Sequence, residues 1–164
     1  MKQIINHYFS IFFLFFSSFF FNYCSQNQVV VSKNISPDGK ILKIESNDEF
    51  KIELHKSYYE NGNLEYEVEV RNGIPDGISR YWDENSHLVN ITYYENGKLH
   101  GLSISYFPNG IISSKVKYFY GQNHGINETY HSNGKIKSNQ IFEFDKPISE
   151  LLRFDENGNL IYQP

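Results

Sequence analysis

The feature that most constrains this chain is a period of 24 residues. Asn61-Gly62, Asn85-Ser86, Asn109-Gly110, Asn133-Gly134 and Asn157-Gly158 recur at that spacing, and Gly77, Gly101, Gly125 and Ser149 keep the same phase. Aromatic residues follow it as well, at Tyr58, Trp82, Tyr106, Tyr130 and Phe154. Leu64, Leu88, Ile112, Ile136 and Leu160 form one aliphatic column, and Leu54, Ile78, Leu102 and Ile126 form another. Five columns in phase describe a tandem array.

Each unit reads as a β-hairpin. Residues 64–71 (Leu-Glu-Tyr-Glu-Val-Glu-Val-Arg) alternate apolar and charged side chains, the period-2 signature of a strand. The strand ends at Asn72-Gly73, Asn96-Gly97 or Tyr120-Gly121, where an Asn-Gly pair suits the positive φ angles of a tight type I′ turn. A second strand then runs from the glycine column to the aromatic column. Composition agrees: 14 Phe, 13 Tyr and no alanine favour strands over helices. The expected fold is all-β, an elongated antiparallel meander of 24-residue hairpins that advances roughly 10 Å per two strands. The repeat domain is placed at residues 37–164, about five units. Its first unit, within residues 29–56, is worn, and residues 160–162 make a short final strand.

The N-terminus has a different character. Residues 8–21 are 14 positions of Phe, Ile, Leu and Tyr broken only by serines, shorter than the roughly 20 of a membrane-spanning helix. They have the length of a signal-peptide apolar region. The only cysteine follows in Phe21-Asn22-Tyr23-Cys24-Ser25, where lipoprotein signals are cut and the new N-terminal cysteine is acylated. Tyr23 is bulkier than the small residue usual at that step. Residues 1–24 are therefore read as a signal peptide with a lipobox-like Cys24, and residues 25–36 as a tether. A cleaved signal with Cys24 incidental and an uncleaved anchor are the alternatives. All three export the chain, and the expected location is a bacterial cell envelope, lipid-anchored to a membrane.

The motifs Tyr58-Tyr59-Glu60-Asn61-Gly62-Asn63-Leu64, Tyr93-Tyr94-Glu95-Asn96-Gly97-Lys98-Leu99-His100-Gly101-Leu102 and Asn133-Gly134-Lys135-Ile136 resemble the variant MORN repeat. More narrowly they are similar to the bacterial variant-MORN proteins grouped as YwqK-like toxin-antitoxin system antitoxins, many of them predicted lipoproteins. The resemblance covers about residues 39–160. It implies a hairpin array used as a binding or scaffolding surface.

No catalytic constellation is evident. A net charge of −4 argues against a nucleic-acid partner. A single cysteine builds neither a disulfide nor a thiolate metal cage, and no metal or cofactor is expected. His100 and His124 hold equivalent positions about two strands apart, roughly 10 Å, too far to share a metal. Glu65, Glu67 and Glu69 are read as one solvated face. There is no Gly-x-Ser-x-Gly, Walker or His-Glu-x-x-His motif, so an enzyme is not expected. The aromatic column Tyr58, Trp82, Tyr106, Tyr130 and Phe154 is taken as a structural ladder, with a ligand platform as the alternative. Strict alternation puts Val89, Ile91 and Tyr93 opposite Leu88, on a face that is acidic one unit earlier, and marks them as a candidate binding surface. Two functions follow: an envelope-anchored repeat protein that binds or scaffolds a protein or envelope component, or an antitoxin-like inhibitor of a partner toxin. A carbohydrate-binding module stands behind both.

Overall fold

The computed structural model describes residues 30–35, 41–47 and 52–161, with side chains from residue 52 onward. All of its regular structure is strand: β1 (Val30–Ile35), β2 (Ile41–Asn47), β3 (Ile52–Tyr58), β4 (Leu64–Arg71), β5 (Ile74–Trp82), β6 (Leu88–Glu95) and β7 (Lys98–Leu99). The remainder are β8 (Gly101–Tyr106), β9 (Ile112–Phe119), β10 (Gln122–Asn123), β11 (Gly125–Tyr130), β12 (Ile136–Glu143), β13 (Lys146–Pro147) and β14 (Leu152–Arg153). They form one antiparallel sheet in chain order, with the short β7, β10 and β14 paired beside β6, β9 and β12. This is the meander that the period predicts. The array starts earlier than residue 37, because the Val-rich segment assigned to the tether pairs along its whole length as β1 against β2. The last unit is less complete than expected: its second strand is only Leu152–Arg153, and Leu160 makes a single bridge to Phe154. Residues 1–24, with Cys24, lie outside the described residues.

Two turns alternate along the two edges. Asn72-Gly73 (φ +51° and +77°) and Asn96-Gly97 (φ +50° and +78°) are the expected type I′ turns. Tyr120-Gly121 and Phe144-Asp145 adopt the same left-handed pair without asparagine. The other turn is a five-residue loop in which the Gly62 N–H donates to Tyr59 O and Tyr59 N–H to Asn63 O. In the next unit Ser86 fills the glycine position at φ +66°. Units are stitched by backbone: Gly97 N donates to Pro75 O (2.8 Å), Gly121 N to Leu99 O (2.7 Å) and Asp145 N to Asn123 O (3.0 Å). On the opposite edge the Asn61 and Asn63 side chains both donate to Glu84 O, and the Asn133 side chain donates to Glu156 O.

Among the described residues no second layer covers either face, so the fully screened core is small. Only Val68 and Val70, 5% and 3% exposed, are buried hydrophobics. Stability therefore rests on backbone ladders, turns and cross-strand side-chain pairs, each pair contributing roughly 0.2–1 kcal/mol.

A bulge in each of the eight-residue strands β4, β6, β9 and β12 decides which residues share a face. Tyr81 pairs with Asn90 but Trp82 with Leu88, so Val89 is the extra residue; the same shift falls at Glu65 in β4. An inserted residue breaks strict alternation. Ile91 and Tyr93 consequently lie on the same face as Leu88, not opposite it, and Glu65 parts from Glu67 and Glu69. The Ser57 hydroxyl donates to the Glu65 carboxylate at 3.2 Å, on the side that Ser57 shares with Tyr66.

Candidate binding surface

One face carries the charges in cross-strand order. Lys56, Glu67, Arg80, Ile91, Ile104, Lys115 and Glu128 are successive partners across β3 to β11. Arg80 Nη1 meets Glu67 Oε1 at 2.7 Å, and Lys115 sits opposite Glu128. Where the flanking units place oppositely charged cross-strand partners, the middle of the sheet places Ile91 against Ile104. Beside them Ile78 pairs with Tyr93, and Leu102 continues the row on β8. Tyr93 is 41% and Leu102 44% exposed. The result is an apolar island flanked by Arg80 on one side and by Lys115 and Lys117 on the other. Of the three residues marked in the sequence, Ile91 and Tyr93 belong to it. Val89, the bulge residue, does not. Leu102 and Ile104 were missed; a column comparison finds Ile104, whose column holds Arg80 and Glu128 in neighbouring units as the Ile91 column holds Glu67 and Lys115, whereas Leu102 belongs to the regular aliphatic column of Leu54, Ile78 and Ile126.

The aromatic column lies on this same face, towards the five-residue turns. Successive members are two strands apart, roughly 10 Å and beyond ring contact. Each instead pairs with an aliphatic residue: Tyr58 with Leu64, Trp82 with Leu88, Tyr106 with Ile112, Tyr130 with Ile136 and Phe154 with Leu160. The ladder thus alternates ring and aliphatic rungs, and every ring is half-buried. Lys115 Nζ lies 5.3 Å from the Tyr130 ring centre, and Tyr130 Oη donates to Glu128 Oε2 at 2.5 Å. The Lys115 pKa is raised chiefly by its hydrogen bond to Tyr130, so the ammonium stays charged beside the island.

His100 and His124 stand at the edge formed by the type I′ turns. Both rings pack on Phe119, with centres 5.3 and 5.7 Å away. His100 Nδ1 lies 3.2 Å from Glu95 Oε2. In the next unit Phe119 occupies the place of Glu95, and His124 Nδ1 is buried with no hydrogen-bond partner. Tyr120 and Phe144 complete an exposed aromatic cluster on this edge, with His124 and Phe144 4.8 Å apart. Among the described residues, no group of three or more His, Cys, Asp or Glu side chains is arranged to hold a metal ion.

The family model described as MORN repeat variant matches residues 54–72, 75–96, 86–102, 99–119 and 123–143, more than half of the chain. The chain belongs to the MORN repeat variant family. The matches span β3 to β12 and include every residue of the apolar island. No curated protein matches the sequence. In this family member the repeat accounts for the backbone frame, while the island is a local departure from it.

Proposed function

We propose that this MORN-variant chain is a non-catalytic, envelope-anchored binding protein that uses the Ile91–Ile104 island to hold a protein partner. The supporting observation is the replacement of charged cross-strand pairs by isoleucines at one place in the sheet, with Tyr93 and Leu102 exposed beside them. An apolar centre with a charged rim is the anatomy of a specific protein interface. The flanking Arg80, Lys115 and Lys117 select a partner with an acidic rim. Export rests on the apolar segment at residues 8–21, and anchoring on acylation of Cys24. An inhibitor of a partner toxin, the narrower role carried by the antitoxin-like resemblance, would use the same island.

The test places a photo-crosslinking amino acid at Leu102, or at Ser105 on the opposite face, in the full-length chain in its native envelope. A discrete protein adduct from position 102 and no protein adduct from 105 is expected. Arg80→Glu combined with Lys115→Glu should remove the adduct. Equal labelling from both positions sinks the proposal. Metabolic labelling with a fatty-acid analogue tests the anchor separately, and an unlabelled wild-type chain refutes acylation.

A further inference from the structure

The opposite face has a different chemistry, and the proposed protein site makes no use of it. Its long row runs Tyr81, Asn90, Ser105, Ser114, Thr129 and Ser138, each the cross-strand partner of the next. A parallel row contains Ser79, Thr92 and Ser103; Ser79 pairs with Thr92, and the Thr92 and Ser103 hydroxyls are 2.9 Å apart. Ser79 and Thr92 are only 5% and 8% exposed, so these hydroxyls form the floor of the face and the larger neighbours its rim. Asn90 ties the two rows together, its side-chain amide donating to both Ser103 Oγ and Ser105 Oγ and its carbonyl accepting from the Thr92 hydroxyl.

Along one side of this track stand Tyr94, Tyr118 and Phe142. Each is the direct cross-strand partner of a glycine, Gly77, Gly101 and Gly125 respectively. A glycine opposite leaves the ring without a side chain across from it, and all three rings are half-buried, each keeping part of its surface in solvent. They recur every two strands, roughly 10 Å, on the order of the length of two linked sugar rings. Between Tyr81 and Ser138 none of the residues in these rows carries a charge, and charges enter only at the two ends, where Glu65 bonds to Ser57 and Arg153 pairs with Ser138; the other face alternates Glu, Arg and Lys across the same strands.

We infer that the uncharged middle of this face binds a neutral linear polysaccharide laid along the array, perpendicular to the strands. Three features point to that ligand together. Serine, threonine and asparagine side chains donate and accept hydrogen bonds as sugar hydroxyls require. Periodic aromatic rings offer apolar faces on which the C–H faces of sugar rings stack. The missing charge gives no counterpart to phosphate, sulfate or carboxylate groups, so an anionic polymer gains nothing here. The repeat adds multivalency, because each unit presents the same ring and hydroxyl set to the next stretch of polymer.

The experiment is affinity electrophoresis of the full-length chain in non-ionic detergent. Gels contain hydroxyethylcellulose or galactomannan as neutral probes and dextran sulfate as an anionic one. At least one neutral polymer should retard the chain and dextran sulfate should not. Tyr118→Ala should weaken the apparent affinity about tenfold, the loss of one stacked ring, and Tyr118→Phe should retain it. Tyr93→Ala, on the other face, should migrate as the wild type. If Tyr118→Ala proves unfolded by circular dichroism, Ser114→Asp carries the test and should abolish retardation. The inference is overturned if no neutral polymer retards the wild type, if dextran sulfate does so instead, or if folded Tyr118→Ala or Ser114→Asp migrates unchanged.

Discussion

Replacing each member of the glycine column by alanine separates backbone strain from steric clash, because the three sites share a left-handed backbone but differ in surroundings. Gly77, Gly101 and Gly125 have φ of +132°, +78° and +118°. Any L-residue there costs about 1–2 kcal/mol in conformation alone. At Gly101 a new Cβ would meet Tyr93 Cδ1 at 3.8 Å and Tyr93 Cβ at 3.9 Å, both ordinary contacts, so the cost stays near that conformational figure. At Gly125 it would lie 2.9 Å from Lys117 Cδ and 3.4 Å from Lys117 Cβ, and a flexible lysine swings aside cheaply. At Gly77 it would overlap the Glu69 carboxylate and stand 2.8 Å from Glu69 Cβ. That atom is fixed to the β4 backbone, so β4 and β5 must part locally, adding about 1–3 kcal/mol. The expected order of destabilisation is Gly77→Ala, then Gly125→Ala, then Gly101→Ala. At roughly 4 °C per kcal/mol, the first should lower the Tm by roughly 10 °C and the last by roughly 5 °C. Trp82 is the only tryptophan and sits in the same strand as Gly77, so its fluorescence follows unfolding of that unit while circular dichroism follows the whole sheet. Equal losses at the three sites, or a largest loss at Gly101, would refute the steric argument.

Ser86→Gly should stabilise the protein by about 0.5–1 kcal/mol, because serine at φ +66° bears a strain that Gly62 and Gly110 avoid in equivalent turns; a lower urea midpoint would contradict this. Asp83 Oδ1 accepts from the Asn85 and His87 backbone amides, and its hydrogen bonds to His87, side chain and then backbone, hold its pKa below the ordinary 3.8. A depressed carboxylate stabilises the fold above its ordinary pKa and loses that contribution as pH falls through the depressed value, so the lead of the wild type over Asp83→Asn should shrink as pH falls below about 4. Trp82→Ala should cost about 2 kcal/mol, less than the roughly 3–5 kcal/mol of a fully buried ring, because Trp82 is half-buried against Leu88; a melting temperature equal to wild type would remove the column from the structural framework.

The array and its turns were legible because they depend on local chemistry repeated in phase. Asn72-Gly73 and Asn96-Gly97 specify their turn by backbone freedom alone, whatever lies around them. Phe144-Asp145 adopts the same turn with neither residue type, held by its place in the array and by the Asp145 N–H bond to Asn123 O. The faces were less legible. Reading Val89, Ile91 and Tyr93 as one set assumed unbroken alternation, and the inserted residue beside Trp82 reverses that parity for everything after it. A bulge leaves no residue-type signature here, since Glu65, Val89, Ser113 and Lys137 fill the same position in successive strands. The worn first unit within residues 29–56 was legible only in outline, because β1 and β2 pair while carrying few residues of the 24-residue columns.

Those same irregularities show how a repeat of fixed backbone can carry varied chemistry. The residue before each type I′ turn meets the residue before the glycine column, and three units fill that contact differently. Arg71 Nε reaches Asp76 Oδ2 at 3.1 Å, Glu95 reaches His100 at 3.2 Å, and Phe119 packs against His124 with ring centres 5.7 Å apart. An ion pair at this exposed edge contributes at most about 1 kcal/mol, and an aromatic pair about 0.5–1.5 kcal/mol. The exchange is therefore nearly neutral for stability while it turns a polar edge into an aromatic one. The same units show why the change is tolerated: Tyr120 and Phe144 hold left-handed backbone where Asn72 and Asn96 hold it more easily, at roughly 1–2 kcal/mol each. Contacts of Tyr120 with Phe119 at 4.8 Å and of Phe144 with His124 at 4.8 Å offset part of that cost. With the backbone bonds between units unchanged from Gly97 to Asp145, each face and each edge of the sheet is free to take on its own chemistry. That independence lets one layer of hairpins carry a charged face with an apolar island and a neutral hydroxyl track on its reverse.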